Sequence, residues 1–465
     1  MTESDTSDPR LTGLRNLLRA LRSRNYRLFV AGQSVSLVGT WMQQVAMSWL
    51  VYRLTGSALL LGVVGFTSQI PTFLLAPVAG VLADRGNRRR LLLVTQTCAM
   101  LQAALLAGVV LSGAVQVWQI VLLSLVLGIV NAFDIPIRQS FVVEMVAARE
   151  DLGNAIALNS SMVNGARLVG PALAGLLVAT VGEGICFVLN GVSYLAVIVA
   201  LAAMRLSPTP YREPHRRHLL QELREGVVYS FGFGPIRSIL LLVAIISLMG
   251  MPYSVLVPVF AREVLHGGAH TFGFLMTAAG CGALVGTIYL ASRPSVLGLG
   301  RVIVGSTLLF AVGIAAFALS NRFPVSLLSL TVAGFGAMTL VASCNTVLQT
   351  ILEEDKRGRV MSLFTVAFMG MTPFGSFGAG VMATAIGPRE TLLFGAAACL
   401  AGGLVFARQL PGIRAQIRPI YTRMGILPEV AQGLASACEQ PPLPEDRHLE
   451  RRSTVVDAGV HRHAE

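Results

Sequence analysis

Apolar stretches about twenty residues long recur twelve times along this 465-residue chain, parted by short polar segments. They run at 28–52, 58–82, 91–112, 117–137, 154–181 and 184–204 in the first half. In the second half they run at 238–260, 271–291, 302–320, 324–348, 360–386 and 391–407. A helix needs about 20 apolar residues to cross the hydrocarbon core of a bilayer. Strands of a membrane barrel are shorter and alternate apolar with polar residues. Runs such as 91–94 and 100–106 do not alternate. The pattern predicts an all-α membrane protein with twelve transmembrane helices.

Charge gives a separate check on that count. Cytoplasmic segments of membrane proteins hold the excess of Lys and Arg. With connections numbered from the N-terminus, the odd ones hold four cations: Arg53, Arg262, Arg322 and Arg389. The even connections and the two termini together hold 31 of the 36, and Arg167 falls inside a span. An error in the helix count would scramble this asymmetry, so both termini are expected in the cytoplasm. Composition agrees: 54% hydrophobic and 13% charged, against about 25% charged in soluble domains, excludes a disordered chain. The formal charge of +12 is spread between apolar runs rather than gathered on one face, which argues against nucleic acid.

The segments outside the spans divide the chain. Residues 1–27 form an N-terminal segment in which Leu14, Leu17, Leu18 and Leu21 share one helical face and Arg15, Arg19 and Arg22 another. That pattern suits a helix lying on anionic lipid, and no cleavage site marks it as a removable signal. Residues 28–206 form one six-helix bundle, 207–234 a cytoplasmic linker and 235–408 a second bundle. Within the linker, 218–230 is amphipathic. Residues 409–465 form a polar tail expected to be disordered from about Arg414. Sliding the chain over itself by 205 residues sets Gly153, Gly165, Gly170 and Gly175 on Gly358, Gly370, Gly375 and Gly380, within 6 identities over 24 positions. Paired bundles of this kind are common in transporters.

A resemblance now appears over about 25–407. Gly80-Val81-Leu82-Ala83-Asp84-Arg85-Gly86-Asn87-Arg88-Arg89-Arg90 resembles the loop motif between the second and third helices of the major facilitator superfamily, with Asn87 where that motif normally has glycine. Gly170-Pro171, with Gly165 and Gly175, is similar to the fifth-helix motif of exporters in that superfamily. Three further stretches resemble enterobactin-exporter-like and macrolide-efflux-like proteins: Leu54-Thr55-Gly56-Ser57-Ala58, 131–139 and 154–159. The resemblance implies the major facilitator fold, alternating access, a bacterial inner-membrane location and export driven by proton antiport. It also implies that Asp84 docks on the start of the eleventh helix when the cytoplasmic side shuts. Arg85 and Arg88 either share that gating role or only fix topology.

Within the spans, few residues can carry chemistry. Arg167 stands near the middle of the fifth span, where a charge costs at least about 2.5–3.5 kcal/mol on insertion scales. With Asn164 one turn away, it forms a polar stripe suited to substrate handling or coupling, or else a structural arginine with a neighbouring partner. Asp134, flanked by Asn131 and Arg138 at helical spacings around Pro136, is the acidic residue of the confident spans. It either exchanges a proton or pairs permanently with Arg138. Gly170 and Pro171 either serve as a gating hinge in their helix or only let it pack closely and bend. Gln43, Gln44, Asn345 and Gln349 are candidate cavity linings.

No enzyme is expected: the spans offer no histidine and one acid, too little for a nucleophile–base pair or a metal cluster. Lys356, the sole lysine, lies in Asp-Lys-Arg rather than a phosphate-binding Gly-Lys-Ser/Thr loop. The six cysteines form no Cys-x-x-Cys and read as small core hydrophobes. No cofactor or metal is expected, with the proton gradient as driving force, and the partners are a small-molecule substrate and membrane lipid around a functional monomer. The reading is thus a secondary exporter of amphiphiles such as siderophores, macrolides or other drugs. The alternatives are an uncoupled facilitator and a non-transporting scaffold or receptor.

Overall fold

The computed structural model describes residues 19–146, 149–205, 219–293 and 295–424. Its first six long helices are α1 (Arg24–Thr55), α2 (Ala58–Arg85), α3 (Arg88–Leu111), α4 (Val117–Met145), α5 (Leu152–Val181) and α6 (Glu183–Ala203). A linker helix, α7 (Leu219–Gly232), precedes α8 (Gly234–Val264), α9 (Ala269–Ala291), α10 (Leu299–Leu319), α11 (Phe323–Ile351), α12 (Glu354–Ile386) and α13 (Pro388–Arg423). Among the described residues eleven helices are long and apolar enough to cross a membrane. The twelfth, α1, has 32 residues, enough for about 48 Å at 1.5 Å each. Gln33, Ser34, Ser36, Gln43 and Gln44 lower its hydropathy, and most of these face protein rather than lipid.

Local chemistry sets the breaks. Gly56 ends α1 with φ +60, a left-handed conformation that glycine adopts without a Cβ penalty. Ser57 then caps α2, its hydroxyl accepting from Leu60 N at 3.3 Å. Asn87, which departs from the family's glycine, caps α3 by accepting from Arg90 N at 3.0 Å. The substitution exchanges backbone freedom for a cap. At the other end of α1, Ser23 Oγ donates to Met145 O at 2.6 Å, Tyr26 OH to Ala155 O at 2.6 Å, and Ala20 N to Asn154 Oδ1 at 3.0 Å. Arg19 pairs with Asp151. The start of α1 is therefore bolted to the α4–α5 connection, which explains the asparagine that opens the 154–159 motif. Of the predicted lipid-facing segment, Leu14, Leu17 and Leu18 lie outside the described residues. Arg19–Arg22 is a short 3-10 turn docked on protein through Ala20.

Two element ends differ from expectation. The last helix continues to Arg423, past the point near Arg414 where disorder was expected. Hydropathy reports where lipid contact stops; α13 carries on through Pro411, Gly412 and Pro419, which intrinsic propensity disfavours, with Ile413 and Ile417 buried along it. Residues 425–465 lie outside the described residues. The amphipathic linker forms α7, with Arg359 Nη1 2.9 Å from Glu225 Oε2 and Lys356 Nζ 4.9 Å from the Tyr229 ring centroid. It rests on the start of α12.

Packing follows one rule in both halves. Helices α1, α5 and α6 pack together, α2 packs on α4, and α3 packs on α4 and α6; α9 and α10 both pack on α11. Across the halves, α5 packs on α9 and α2 on α12. The repeated glycines make these contacts possible. A Cβ at Gly170 would lie 2.5 Å from Trp41 Cβ of α1, and its repeat mate Gly375 abuts Leu248 O of α8. A Cβ at Gly175 would lie 2.9 Å from Gly273 Cα of α9, and one at Gly380 2.8 Å from Ala58 O of α2. Each member of a pair therefore backs onto the equivalent helix. Gly153, Gly165 and Gly358 face open space.

The contacts between halves gather at the arginine-poor end and near the midplane. Tyr52 OH donates to Glu263 and Trp49 stacks on Phe272 at 6.3 Å. Phe66 and Phe73 of α2 meet Phe374 of α12 edge-on, each at 6.0 Å. Towards the arginine-rich end, Ser160 and Ser161 of α5 and Gln349 of α11 are exposed. Among the described residues three π turns interrupt the second half: Ile246–Gly250 and Phe260–Val264 in α8, and Val366–Gly370 in α12.

Candidate transport site

Arg167 lies fifteen residues into the thirty of α5, about 22 Å along it. Pro171, one turn later, has no N–H to give Arg167 O, which faces Gly280 of α9 instead. The Arg167 guanidinium is half-buried, 5.5 Å from the centroid of Trp41. Among the described residues it has no hydrogen-bond or carboxylate partner. Tyr253 of α8, on the opposite half, lies within its electrostatic reach. A cation–π contact contributes about 0.5–2 kcal/mol, less than the cost of a charge at this depth. The deficit leaves a forked, planar donor able to bind an anion or several acceptor oxygens. Asn164, one turn earlier, gives one N–H of its Nδ2 to Ser160 O at 3.0 Å within α5 and keeps the second.

Asp134 occupies a separate place, buried within the first half. Its Oδ1 accepts from Thr95 Oγ1 at 2.9 Å and Gln96 Nε2 at 2.7 Å, and its Oδ2 lies 3.5 Å from Arg138 Nε. Asn131 is half-buried one turn away. The i,i+4 spacing of Asp134 and Arg138 made their pairing readable. Thr95 and Gln96 come from another helix and gave no signal beyond being polar in an apolar run. Asp134 and Arg167 have different partners here.

The remaining predicted residues divide. Arg88 Nη1 lies 2.6 Å from Glu144 Oε1, joining α3 to α4. The side chains of Asp84 and Arg85 lie outside those described. Gly170 and Pro171 are buried at the α1 and α9 contacts. Gln43 is not a cavity lining: it is 1% exposed, donating to Gln102 Oε1 at 3.1 Å and accepting from Asn190 Nδ2 at 2.7 Å. This amide relay ties α1 to α3 and α6. Gln44 is exposed, and Gln349 Nε2 donates to Asn345 Oδ1 at 3.1 Å along α11. Sequence reasoning also passed over Glu183, an apparent loop acid that is buried and takes Arg53 Nε at 2.7 Å. Among the described residues no His/Cys/Asp/Glu group could hold a metal, and the five cysteines are free.

Comparison with known proteins bears on this geometry. Residues 17–424 match the family model described as transmembrane secretion effector. The chain is 24% identical over 362 residues to the staphyloferrin A transporter of Staphylococcus aureus, covering 78% of this chain and 90% of that one. It is 27% identical over 396 residues to the multidrug efflux pump Tap of Mycobacterium tuberculosis, covering 83% and 91%. In fold it resembles the crystal structure of a bacterial homologue of the human lysosomal transporter Spinster in an inward-facing, unoccupied conformation. That match has a TM-score of 0.62 and 15% identity, and covers 85% of this chain and 97% of that one.

Proposed function

Because this chain belongs to the transmembrane secretion effector family of the major facilitator superfamily, we propose that it exports amphiphilic small molecules rich in acceptor oxygens by alternating access, in exchange for protons. The observation that carries the reading is Arg167, a midspan guanidinium without a carboxylate partner, lying between the halves beside Trp41. A siderophore transporter and a multidrug pump among its relatives support a cargo of this kind. Residues 28–206 and 235–408 act as two bundles that rock about a central cavity, joined by the cytoplasmic linker at 207–234, in a monomer. The arginine-rich end faces the cytoplasm, so the packing of the halves at the other end corresponds to an inward-facing state.

In this scheme Arg167 receives the anionic part of the cargo and Trp41 its apolar part. Asp134 takes up and releases the coupling proton, with Arg138 as its counter-charge. Asp84 closes the cytoplasmic side against the start of α12, where a carboxylate is stabilised by about 0.3–1 kcal/mol. The full set of partners on Asp134 favours a second reading, an uncoupled facilitator in which that carboxylate is structural. Inverted vesicles separate the two. An exporter accumulates a carboxylate siderophore only with an imposed proton gradient, a facilitator equilibrates it without one, and a scaffold or receptor moves none.

A further inference from the structure

The surroundings of Asp134 are of two kinds. Arg138 is a cation that can only donate. Thr95 and Gln96 are neutral groups that can donate or accept. Both neutral groups have somewhere else to turn. Thr95 Oγ1 is 2.9 Å from Asp134 Oδ1 and 3.1 Å from Leu92 O, and its one proton can go to either. Gln96 gives Nε2 to Asp134 at 2.7 Å, while its own Oε1 is buried with no hydrogen-bond partner among the described residues. Gln96 as a whole is 4% exposed. A buried, orphaned amide oxygen is uncommon in native proteins and asks for an explanation.

We propose that Gln96 is the residue that accommodates both protonation states of Asp134, by rotating its side-chain amide. This rests on the reading of Asp134 as the proton-exchanging group. With Asp134 ionised, Gln96 Nε2 donates to Oδ1, as observed. When a proton from water bonds to Oδ1, the carboxylate becomes a carboxylic acid with an O–H to donate. Half a turn of the amide brings Oε1 to that O–H and moves Nε2 to where Oε1 stood. The amide's two ends are nearly equal in size, and one of them is unpartnered in either state, so the turn forfeits no hydrogen bond. Thr95 redirects its proton to Leu92 O. Arg138 cannot reverse, and it loses its counter-charge. The arrival of a proton thereby changes the charge balance at Arg138.

Few other groups face this carboxylate. Arg138 shares its helix, and Tyr194 of α6 is within electrostatic reach, its hydroxyl 3.5 Å from Thr40 Oγ1. From α3, among the described residues, Thr95 and Gln96 make its hydrogen bonds. On α1, Gln33 stands one turn beyond Phe29, which shares a core cluster with Leu92 and Ile137; it too is neutral, and among the described residues its Oε1 is likewise buried and unpartnered.

The test is pH-difference infrared spectroscopy on the full chain in lipid nanodiscs. Acidification is expected to raise a carboxylic C=O band that Asp134→Asn lacks. A paired shift of a glutamine amide C=O band should accompany it and be missing in Gln96→Leu and in Gln96→Met, the second covering misfolding of the first. Export driven by a pH gradient should fall about tenfold in Gln96→Leu, with substrate counterflow retained. A carboxylic band from Asp134 with a silent amide region overturns the role of Gln96 and leaves the proton site standing. Absence of any carboxylic band from Asp134 overturns both.

Discussion

At the scale of single residues, two charges inside the membrane have opposite fates. Asp134 is surrounded by donors; Arg167 has an aromatic face and, among the described residues, no anion. Arg167→Lys keeps the charge but loses the fork, and should weaken export of carboxylate cargo about tenfold while neutral drugs change little. Arg167→Ala should abolish anion export and spare cationic dyes. Equal losses for anionic, neutral and cationic cargo at unchanged expression would make Arg167 structural. Asp134→Asn should stop accumulation driven by a pH gradient, yet counterflow, which moves no net proton, should continue. Persistence of both activities would place the proton site elsewhere. The charges themselves were legible, since an Arg or Asp in an apolar run costs enough to stand out. Their partners were not. Gln96 lies 38 residues before Asp134 on a different helix, and Trp41 looks like any lipid-facing aromatic until α1 and α5 are packed together.

At the scale of elements, small residues decide which helices meet. Gly175 and Gly273 bring α5 and α9 within backbone contact, as Gly380 and Gly62 do for α12 and α2. Gly175→Val or Gly380→Val should wedge the arginine-poor end apart, seen as faster labelling of a cysteine at Trp49. Gly165→Ala, facing open space, should leave labelling and export unchanged. Matching labelling in all three variants would mean that the glycines do not set the approach. The glycine register was visible in the sequence because the spans repeat without a gap. Helix ends were less visible, since α13 and α4 run on after hydropathy falls. Glu183 was passed over for a related reason: a polar residue between spans can be buried when an arginine of a packed helix, here Arg53 of α1, pairs with it.

At the scale of the molecule, the charge asymmetry predicts an orientation that labelling can check. Cysteines at Gly56 and Gly113, both exposed at the arginine-poor end, should react with an impermeant thiol reagent from outside intact cells. Those at Asn87 and Ser295, exposed at the other end, should react only after the membrane is opened. Labelling of Asn87 from outside would invert the protein and with it the direction of transport.

The π turn at Val366–Gly370 has a consequence for the repeat itself. Its sequence counterpart in α5 is regular α-helix, although the two glycine series match without an insertion. A π turn takes an extra residue to come round, so everything before it is out of phase with everything after it. Beyond the turn, Gly375 and Gly380 are keyed to their neighbours as Gly170 and Gly175 are to theirs. Before it, Glu354–Thr365 points its side chains in directions that the start of α5 does not. The two halves are thus twins at one end and strangers at the other. The end where they differ is the one that α7 and the Arg88–Glu144 pair adjoin. Deleting Val366 should restore the phase, turning the start of α12 by about 100° and unseating Arg359 from Glu225.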